Sequence, residues 1–600
     1  MDKIAVLDFG GQYAHLIANR IRKLGVYTEI LDGDAPYEKL LDYKGFILSG
    51  GPSSVSDPAS VQCDRRLFEI GVPVLGICYG HQLIAHQLGG TVEKGHVREY
   101  GHANVKFLER KAMFSDIEEV EDVWMSHFDQ VVKMPEGFEL VALTEDCPIS
   151  GMADYEKNIY GIQFHPEVTH TACGMKILEG FVAITGAKRE WTMDNYLQEI
   201  SEEIKTKVGD KKVFLMISGG VDSTVAFLLL DKALGEGRVY GLFVDTGFMR
   251  MDERAQVEGA LREIGVKNLH VYDASNEYFE ALKDVYEPEA KRKIIGDLFL
   301  KIQEKVSEDL KLNPDEWMLG QGTIYPDTIE TGGTKFAHKI KTHHNRVEKV
   351  QELIEAGKVI EPIAHLYKDE VRILGEKLGL KAEMVWRHPF PGPGLAVRVL
   401  CATGPDYVAE QEKVEAEIEA FVQEFGYKAK ILPLKSVGVQ GDERTYRHPV
   451  LLYGKPVDWD ELHKLSTQLI NHFGDVNRVL YCLKPAEVSQ ITVANKCLTR
   501  DRVLTIQKAD KVVMDYLLEV GIAREIWQFP TVLVPLAMGS QSDESIVLRP
   551  VESQEAMTAN FYPMEIAKLD ELVKRLSEVS GISGIFYDVT NKPPGTIEWE

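Results

Sequence analysis

Two short turns constrain this chain more than any other feature. In each, an apolar run reads as a buried strand, a turn of small residues follows, and a helix begins at once. The first joins Val72–Ile77 to the helix His81–Leu88 through Gly76-Ile77-Cys78-Tyr79-Gly80. The second joins Lys212–Ile217 to the helix Thr224–Leu234 through Ser218-Gly219-Gly220-Val221-Asp222-Ser223. Units of this kind build open, mostly parallel α/β sheets, whose reactive groups gather at the carboxyl ends of the strands. Ile4–Asp8, Gly45–Leu48 and Ile159–Phe164 read as further strands of the first sheet, and His15–Leu24 as a helix. Around Thr185–Arg189 the pattern lapses into glycine and charge, as a linker would. Trp191–Val208 then reads as an amphipathic helix and Val239–Val244 as the next strand of a second sheet. That sheet ends near His388-Pro389-Phe390-Pro391-Gly392-Pro393-Gly394, where the prolines exclude helix.

The last third carries a weak internal repeat. Val414–Phe425 and Val512–Val520 read as helices, leading into the strand-like runs Ile431–Val439 and Thr531–Leu536. A helix and a further strand follow each, Val476–Leu483 and Ile582–Val589. A period of about 100 residues is too long for a solenoid and suits two copies of one small α+β subdomain. Six hundred residues imply about four compact units. The domain reading is 1–188, 189–398, 399–505 and 506–600. A formal charge of −25 argues against a protein that coats nucleic acid or anionic membrane. No stretch approaches the roughly 18 apolar residues of a membrane helix. Seven cysteines without a C-x-x-C pair suggest reduced thiols rather than a disulfide framework or a thiolate zinc site. The run Met1–Leu7 lacks signal-peptide order. A cytoplasmic protein is expected.

Gly-x-Cys-x-Gly between strand and helix has the physics of a nucleophile elbow. Small neighbours permit a strained turn that lifts the thiol clear of the sheet, and the helix N-terminus favours thiolate. A buried structural cysteine would fit the pentapeptide equally well. The company it keeps decides against that. His165-Pro166-Glu167 follows one strand, placing an imidazole and a carboxylate at the same sheet edge. Ser49-Gly50-Gly51-Pro52 follows another, with amides able to stabilise an oxyanion.

Gly76–Gln82, Ser49–Pro52 and His165–Glu167 together resemble the class I, or triad, glutamine amidotransferases. Asp8-Phe9-Gly10-Gly11-Gln12-Tyr13 and Trp124-Met125-Ser126-His127 narrow the resemblance to the GMP synthase family. It implies a flavodoxin-like domain in which Cys78 attacks the glutamine carboxamide. His165 would pass a proton to the leaving ammonia, Glu167 would orient His165, and Gly51 and Tyr79 would form the oxyanion hole. Phe128 stands where that family usually has glycine, so the local turn is expected to differ.

Ser218–Ser223 offers amides and hydroxyls that can surround phosphate oxygens at a helix N-terminus. No Gly-Lys-Ser/Thr tripeptide occurs, so it is not a kinase-type phosphate loop. The hexapeptide resembles the PP-loop of the N-type ATP pyrophosphatases, implying an adenine-nucleotide α-hydrolase-like domain. In that domain Ser218, Gly219, Gly220, Val221, Asp222 and Ser223 bind ATP, and Asp222 shares its Mg²⁺. Gly320–Asp327, Lys341–Asn345, Lys368–Arg372 and Arg387–Leu395 resemble the synthetase half of the same GMP synthase family. Lys341 and His343 would reach the ATP phosphates. His343-His344 alone would also suit a metal or a surface loop.

Gly438–Tyr446 and Lys592–Glu600 resemble that family's end for xanthosine monophosphate, XMP, and imply a dimerisation-type C-terminal domain, here duplicated. Lys592 and Arg292, the latter in what reads as a basic turn, would meet the phosphate. Asp442, Gln528 and Glu598 would hydrogen-bond ribose or base. Aligning Pro433 with Pro535 sets Gly426 against Gln528 and Glu544 against Asp442, so each copy keeps part of one pocket. The implied reaction is ATP-dependent amination of XMP to GMP through adenyl-XMP. Glutamine supplies the ammonia, and AMP, pyrophosphate and glutamate are released. The expected partners are glutamine, ATP and XMP, with no nucleic acid and no membrane. A duplicated half suggests an enzyme working as a monomer, with a homodimer as the alternative. The rival readings are another glutamine-dependent PP-loop ligase and a nucleotide-sensing regulator with dead sites.

Overall fold

The computed structural model describes all residues except 12, 329–352, 354–355, 441–442, 540–542 and 554–558, and side chains except those of 96–98, 440 and 443. The chain forms two compact units. The first comprises Met1–Glu202 with the described residues 324–328 and 364–370. Its strands are β1 (Lys3–Asp8), β2 (Tyr27–Asp32), β3 (Gly45–Leu48), β4 (Val74–Ile77), β5 (Thr91–Phe107), β6 (Val120–Lys133), β7 (Glu139–Leu143), β8 (Gly151–Asp154) and β9 (Ile159–Ile162). They make one sheet in the order β2-β1-β3-β4-β9-β8-β7-β5-β6. The first five run parallel, and the remaining four pair antiparallel. The mostly parallel sheet expected from sequence is therefore only half of what forms. The reason lies in burial. β3, β4 and β9 are covered throughout and read as continuous apolar runs. Along β6 buried and accessible residues alternate, as in a sheet with one solvated face.

Helices α1 (Ala14–Lys23), α2 (Tyr79–Leu88) and α3 (Gly174–Thr185) flank this sheet. A buried ion pair lies in the first unit. Arg22 of α1 pairs with Glu370 at 3.3 Å, and its guanidinium stacks near the rings of Tyr27, Trp191, Tyr325 and Tyr367. Helix α4 (Met193–Val208) follows α3 in the chain.

The second unit holds two sheets. The first is wholly parallel, β12-β11-β10-β13-β14, from β10 (Lys212–Ile217), β11 (Val239–Asp245), β12 (Leu269–Asp273), β13 (Trp317–Gly320) and β14 (Val359–Ile360). Its helices include α5 (Val221–Leu234), α6 (Glu253–Glu263) and α7 (Pro288–Asp309). Arg292 lies inside α7, not in a turn as its basic neighbours suggested. Pro288 at the helix start pre-sets the first φ and needs no donor.

The second sheet contains the repeat. The first half has α8 (Gln411–Gln423), β15 (Lys428–Ile431), β16 (Ser436–Gln440), β17 (Glu443–Tyr453), α9 (Trp459–His472), β18 (Val476–Lys484) and β19 (Ile491–Val493). The second has α10 (Arg500–Glu519), β20 (Thr531–Val534), β21 (Leu536–Met538), β22 (Glu544–Leu548), the ribbon β23–β24 (Val551–Glu552, Asn560–Phe561), α11 (Ile566–Leu576) and β25 (Ile582–Asp588). The order β15-β17-β18-β25-β22-β20 is a palindrome of pairings. They run antiparallel, parallel, antiparallel at the centre, parallel, antiparallel. The halves also exchange ends. β19 pairs with β21, and the terminal segment returns to β16, where Val437 N–H donates to Trp599 O and Val439 N–H to Pro594 O. The run expected over Ile431–Val439 breaks into β15 and β16 around Pro433, which has no N–H to donate. The helix expected at Val512 begins at Arg500, capped by the Thr499 hydroxyl accepting from Arg502 N–H.

Three charges lie inside this sheet. Asp588 of β25 pairs with Arg478 at 2.8 Å and Arg549 at 3.1 Å, all three fully buried. Trp599 Nε1 donates to the same carboxylate at 3.0 Å. Burial pushes Arg478 down to about 10 against the pull of Asp588. Asp588→Ala would strand two buried cations. A loss of about 3–5 kcal/mol is expected in the urea transition that reports this sheet, because removing one partner of a buried pair leaves uncompensated charge.

Candidate active site

The turn after β4 is tight because both flanking glycines are required. A Cβ on Gly76 would lie 2.4 Å from Gly80 O, and one on Gly80 would lie 2.3 Å from Leu48 O. Cys78 between them takes φ 53° and ψ −105°, a strained backbone for a residue with a Cβ. Its N–H donates to Ile162 O at 2.8 Å, which fixes the elbow to β9. α2 begins at Tyr79, whose amide has no acceptor within the helix.

His165 follows β9. Its backbone is held by Trp124 O at 3.0 Å and by the Thr171 hydroxyl, which donates to His165 O at 2.6 Å. Nδ1 lies 2.7 Å from Glu167 Oε1, and Glu167 is fully buried. The Tyr13 ring stands edge-on to the imidazole at 5.3 Å. Burial alone would depress His165. The Glu167 carboxylate and the Cys78 sulfur outweigh it and hold the imidazolium well above its ordinary range. Cys78 and His165 open into a cavity of about 540 Å³ also lined by Gly50, Gly51, Ser126 and Asp129. A Cβ on Gly50 would lie 3.3 Å from the imidazole, so the glycine turn abuts the reacting pair. This arrangement can deprotonate a thiol, deliver it to a carbonyl and protonate a leaving amine.

Two further groups stand in motifs the sequence singled out without being assigned a role there. Gln82 Nε2 donates to Asp129 O at 2.7 Å and ties the elbow helix to β6. His127 is buried against Glu99 at 3.0 Å. Phe128 lies in the extended backbone of β6, a conformation open to any residue, so no altered turn arises from the missing glycine.

The loop after β10 is knitted by its own hydroxyls. Ser218 N–H donates to Ser223 Oγ at 3.2 Å, Gly220 N–H to Ser218 Oγ at 3.3 Å, and Thr224 Oγ1 to Gly220 O at 2.8 Å. Gly219 has φ 77°. α5 starts at Val221, three residues before the expected Thr224, so Asp222 and Ser223 stand in its first turn. Gly322, after β13, packs on the loop, since a Cβ there would meet Ser223 Cα at 3.0 Å. Lys341, His343 and His344 lie outside the described residues, as does Asp442.

At the far end, Gln528 and Glu598 come together. Gln528 Nε2 donates to Glu598 Oε1 at 3.0 Å. Arg398 donates to the same carboxylate through Nε at 3.0 Å and Nη2 at 2.8 Å. Sequence reading missed Arg398, although a lone cation in Leu395-Ala396-Val397-Arg398-Val399-Leu400 is a signal that a buried partner exists. Lys592 precedes Glu598 on the same segment, and its backbone exchanges hydrogen bonds with Ala559. Burial lowers Lys592, and Arg549 adds to the effect. Arg292 pairs with Glu289 at 2.7 Å. Its neighbour Lys291 is fully buried against Glu600.

Three family models match the chain: "Glutamine amidotransferase class-I" over residues 5–184, "NAD synthase" over 193–304 and "GMP synthase C terminal domain" over 515–599. Among curated proteins, a "Probable GMP synthase [glutamine-hydrolyzing]" of Leptospira interrogans is 48% identical over 606 residues, covering 100% of this chain and 99% of its own. The Aquifex aeolicus protein with the same activity in its name is 44% identical over 512 residues, 81% of this chain and 98% of its own. That of Syntrophomonas wolfei is 38% identical over 609 residues, 100% of this chain and 99% of its own.

Glu167→Gln keeps the hydrogen bond to His165 and removes the charge. The imidazolium should then be lost at lower pH, moving the basic limb of glutaminase activity downward. kcat/KM for glutamine should fall by about 10²–10⁴-fold. An unchanged pH profile would contradict the role of the Glu167 charge.

Proposed function

We propose, for a chain that belongs to the glutamine-hydrolysing GMP synthase family, a division of that reaction among the residues described above. The enzyme aminates XMP to GMP at the expense of ATP, using ammonia from glutamine and releasing AMP, pyrophosphate and glutamate. Cys78 attacks the carboxamide carbon, His165 gives the departing ammonia its proton, and Glu167 holds His165 in the required orientation. Amides of Gly51 and Tyr79 receive the developing oxyanion. Water then cleaves the glutamyl thioester. The observation that carries this part is the pairing of a strained Cys78 with the 2.7 Å His165–Glu167 contact at one cavity.

Ser218–Ser223 cradles the ATP phosphates through loop amides, hydroxyls and the α5 N-terminus. Asp222, one carboxylate among hydroxyls, suits Mg²⁺, which keeps several waters and takes the rest of its shell from phosphate. Such an ion would offset phosphate charge. Lys341 and His343 complete the ATP site. Gln528 and Glu598 take the XMP base or ribose together with Asp442, and Lys592 and Arg292 take its phosphate. Support comes from the C-terminal family match, which spans Gln528, Lys592 and Glu598.

We divide the chain at 1–188, 189–398, 399–505 and 506–600. The palindromic sheet supplies inside one chain what a two-fold pairing of subunits would supply, so the enzyme works as a monomer. Seven free thiols fit a reducing cytoplasm. Among the described residues no helix is long and apolar enough to cross a membrane. The competing reading, another glutamine-dependent PP-loop ligase, is tested by assaying pyrophosphate release with XMP against other acceptors.

Cys78→Ala should abolish glutamine-dependent GMP formation and spare synthesis from ammonium salts. Loss of both would refute the division. Lys592→Ala should raise the KM for XMP about 10–100-fold, the loss of one charge-assisted phosphate contact worth roughly 1.5–3 kcal/mol. Sedimentation of the active enzyme should give a single 67.5 kDa species, and an obligate dimer would overturn the monomer assignment.

A further inference from the structure

We propose that Cys401 and Cys497 form a reversible dithiol–disulfide site, oxidised by low-molecular-weight disulfides. All seven cysteines are free thiols, and five of them are buried. Cys401 and Cys497 are the two that remain partly exposed. They are 96 positions apart in sequence, yet each adjoins one residue of the same antiparallel bridge.

The pairing follows from one antiparallel bridge. Ala402 and Lys496 are bridge partners. They exchange both backbone bonds, Ala402 N–H to Lys496 O at 3.0 Å and Lys496 N–H to Ala402 O at 2.8 Å. They are therefore a hydrogen-bonded pair. One step back along one strand and one step forward along the other gives residues 401 and 497. These residues flank that single rung, beyond which Leu400 N–H turns to Leu533 O at 2.9 Å. Residues that flank an antiparallel rung are neighbours across the two strands. Disulfides close over Cα separations of roughly 4.4–6.8 Å.

Two cations lie against the Cys401 sulfur. Lys291 Nζ lies 3.8 Å from Cys401 Sγ, and Arg502 Nη1 lies 3.9 Å from it. The same Arg502 nitrogen donates to Cys497 O at 2.9 Å, so one guanidinium spans both cysteines. Burial, with Glu600 adding to it, holds the Cys401 thiol above its ordinary value, and Lys291 and Arg502 offset only part of that. Thiolate is the form that attacks disulfides.

The chemistry balances with one equivalent of a small disulfide. A thiolate of the pair attacks one sulfur of the reagent, forming a mixed disulfide and expelling one small thiolate. The second cysteine gives up its proton to solvent and attacks the protein-side sulfur. The Cys401–Cys497 bond forms and the other small thiolate leaves. The protein loses two electrons and two protons, and the reagent is reduced to two thiols. The bond ties Cys401 to the start of the second half of the repeat, next to the buried Lys291–Glu600 and Arg502–Glu544 pairs.

The test uses the full chain with Cys78→Ala, which removes the competing nucleophile, and glutathione disulfide as the probe. The expected product has lost the mass of two hydrogen atoms. Peptide mapping should link the peptides holding 401 and 497, and dithiothreitol should reverse both changes. Cys401→Ser and Cys497→Ser should each instead retain one glutathione. Stable glutathione adducts in the parent without the cross-link, or a full count of alkylatable thiols after treatment, would overturn the proposal.

Discussion

A single carboxylate, Asp588, lies between two guanidinium groups inside the C-terminal sheet, and the acceptor end depends on it. Arg478 comes from the first half of the repeat, Arg549 from the second, and Trp599 from the terminal segment. Two cations share one fully buried anion, with the Glu598 carboxylate as a further attraction, and their remaining donors must be met by oxygen acceptors. Arg478 donates to Val437 O, Thr596 O and Glu598 O, and Arg549 donates to Thr590 O. These carbonyls belong to the segments that carry Glu598 and the edge strand β16. The charge balance therefore shapes the terminal segment, and Arg398 finishes it by gripping the Glu598 side chain.

The Cys78 site depends on a different constraint, close approach of backbone. Gly76, Gly80 and Gly51 sit where any Cβ would strike a carbonyl oxygen at under 3 Å. Only that closeness lets the Cys78 turn project its sulfur past β3 and β9 toward His165. The phosphate loop uses the same device more gently, with Gly219 at positive φ and serine hydroxyls closing the turn. In both places a strand end and a helix start supply oriented amides, so anionic groups are held without a large local excess of basic side chains. That suits a chain whose net charge is −25 and whose substrates XMP and ATP are themselves anions.

The four strands legible in the first third all belong to the parallel half of their sheet. Covered on both faces, they have no polar alternation and stand out as apolar runs. The antiparallel strands β6 and β7 were missed because their accessible face mixes polar residues into the pattern. Local chemistry was equally legible where residues are near in sequence: Cys78 in its glycine turn, His165 two positions from Glu167, the serine loop. Arg292 was misread because a cluster of basic residues looks the same in a turn and in an exposed helix, and only the proline at the helix start separates them.

By itself the sequence determined the strand–turn–helix units, the glycine turn around Cys78, the His165–Glu167 pair and the serine loop. Each is decided by sterics and hydrogen bonding within a few residues. Tertiary structure alone decided which distant groups meet. It set Arg398 against Glu598, Lys291 against Glu600, both halves of the repeat around Asp588, and Ala402 against Lys496. Such pairings depend on strand order and register. Those are settled by how whole faces bury together, which no local pattern specifies.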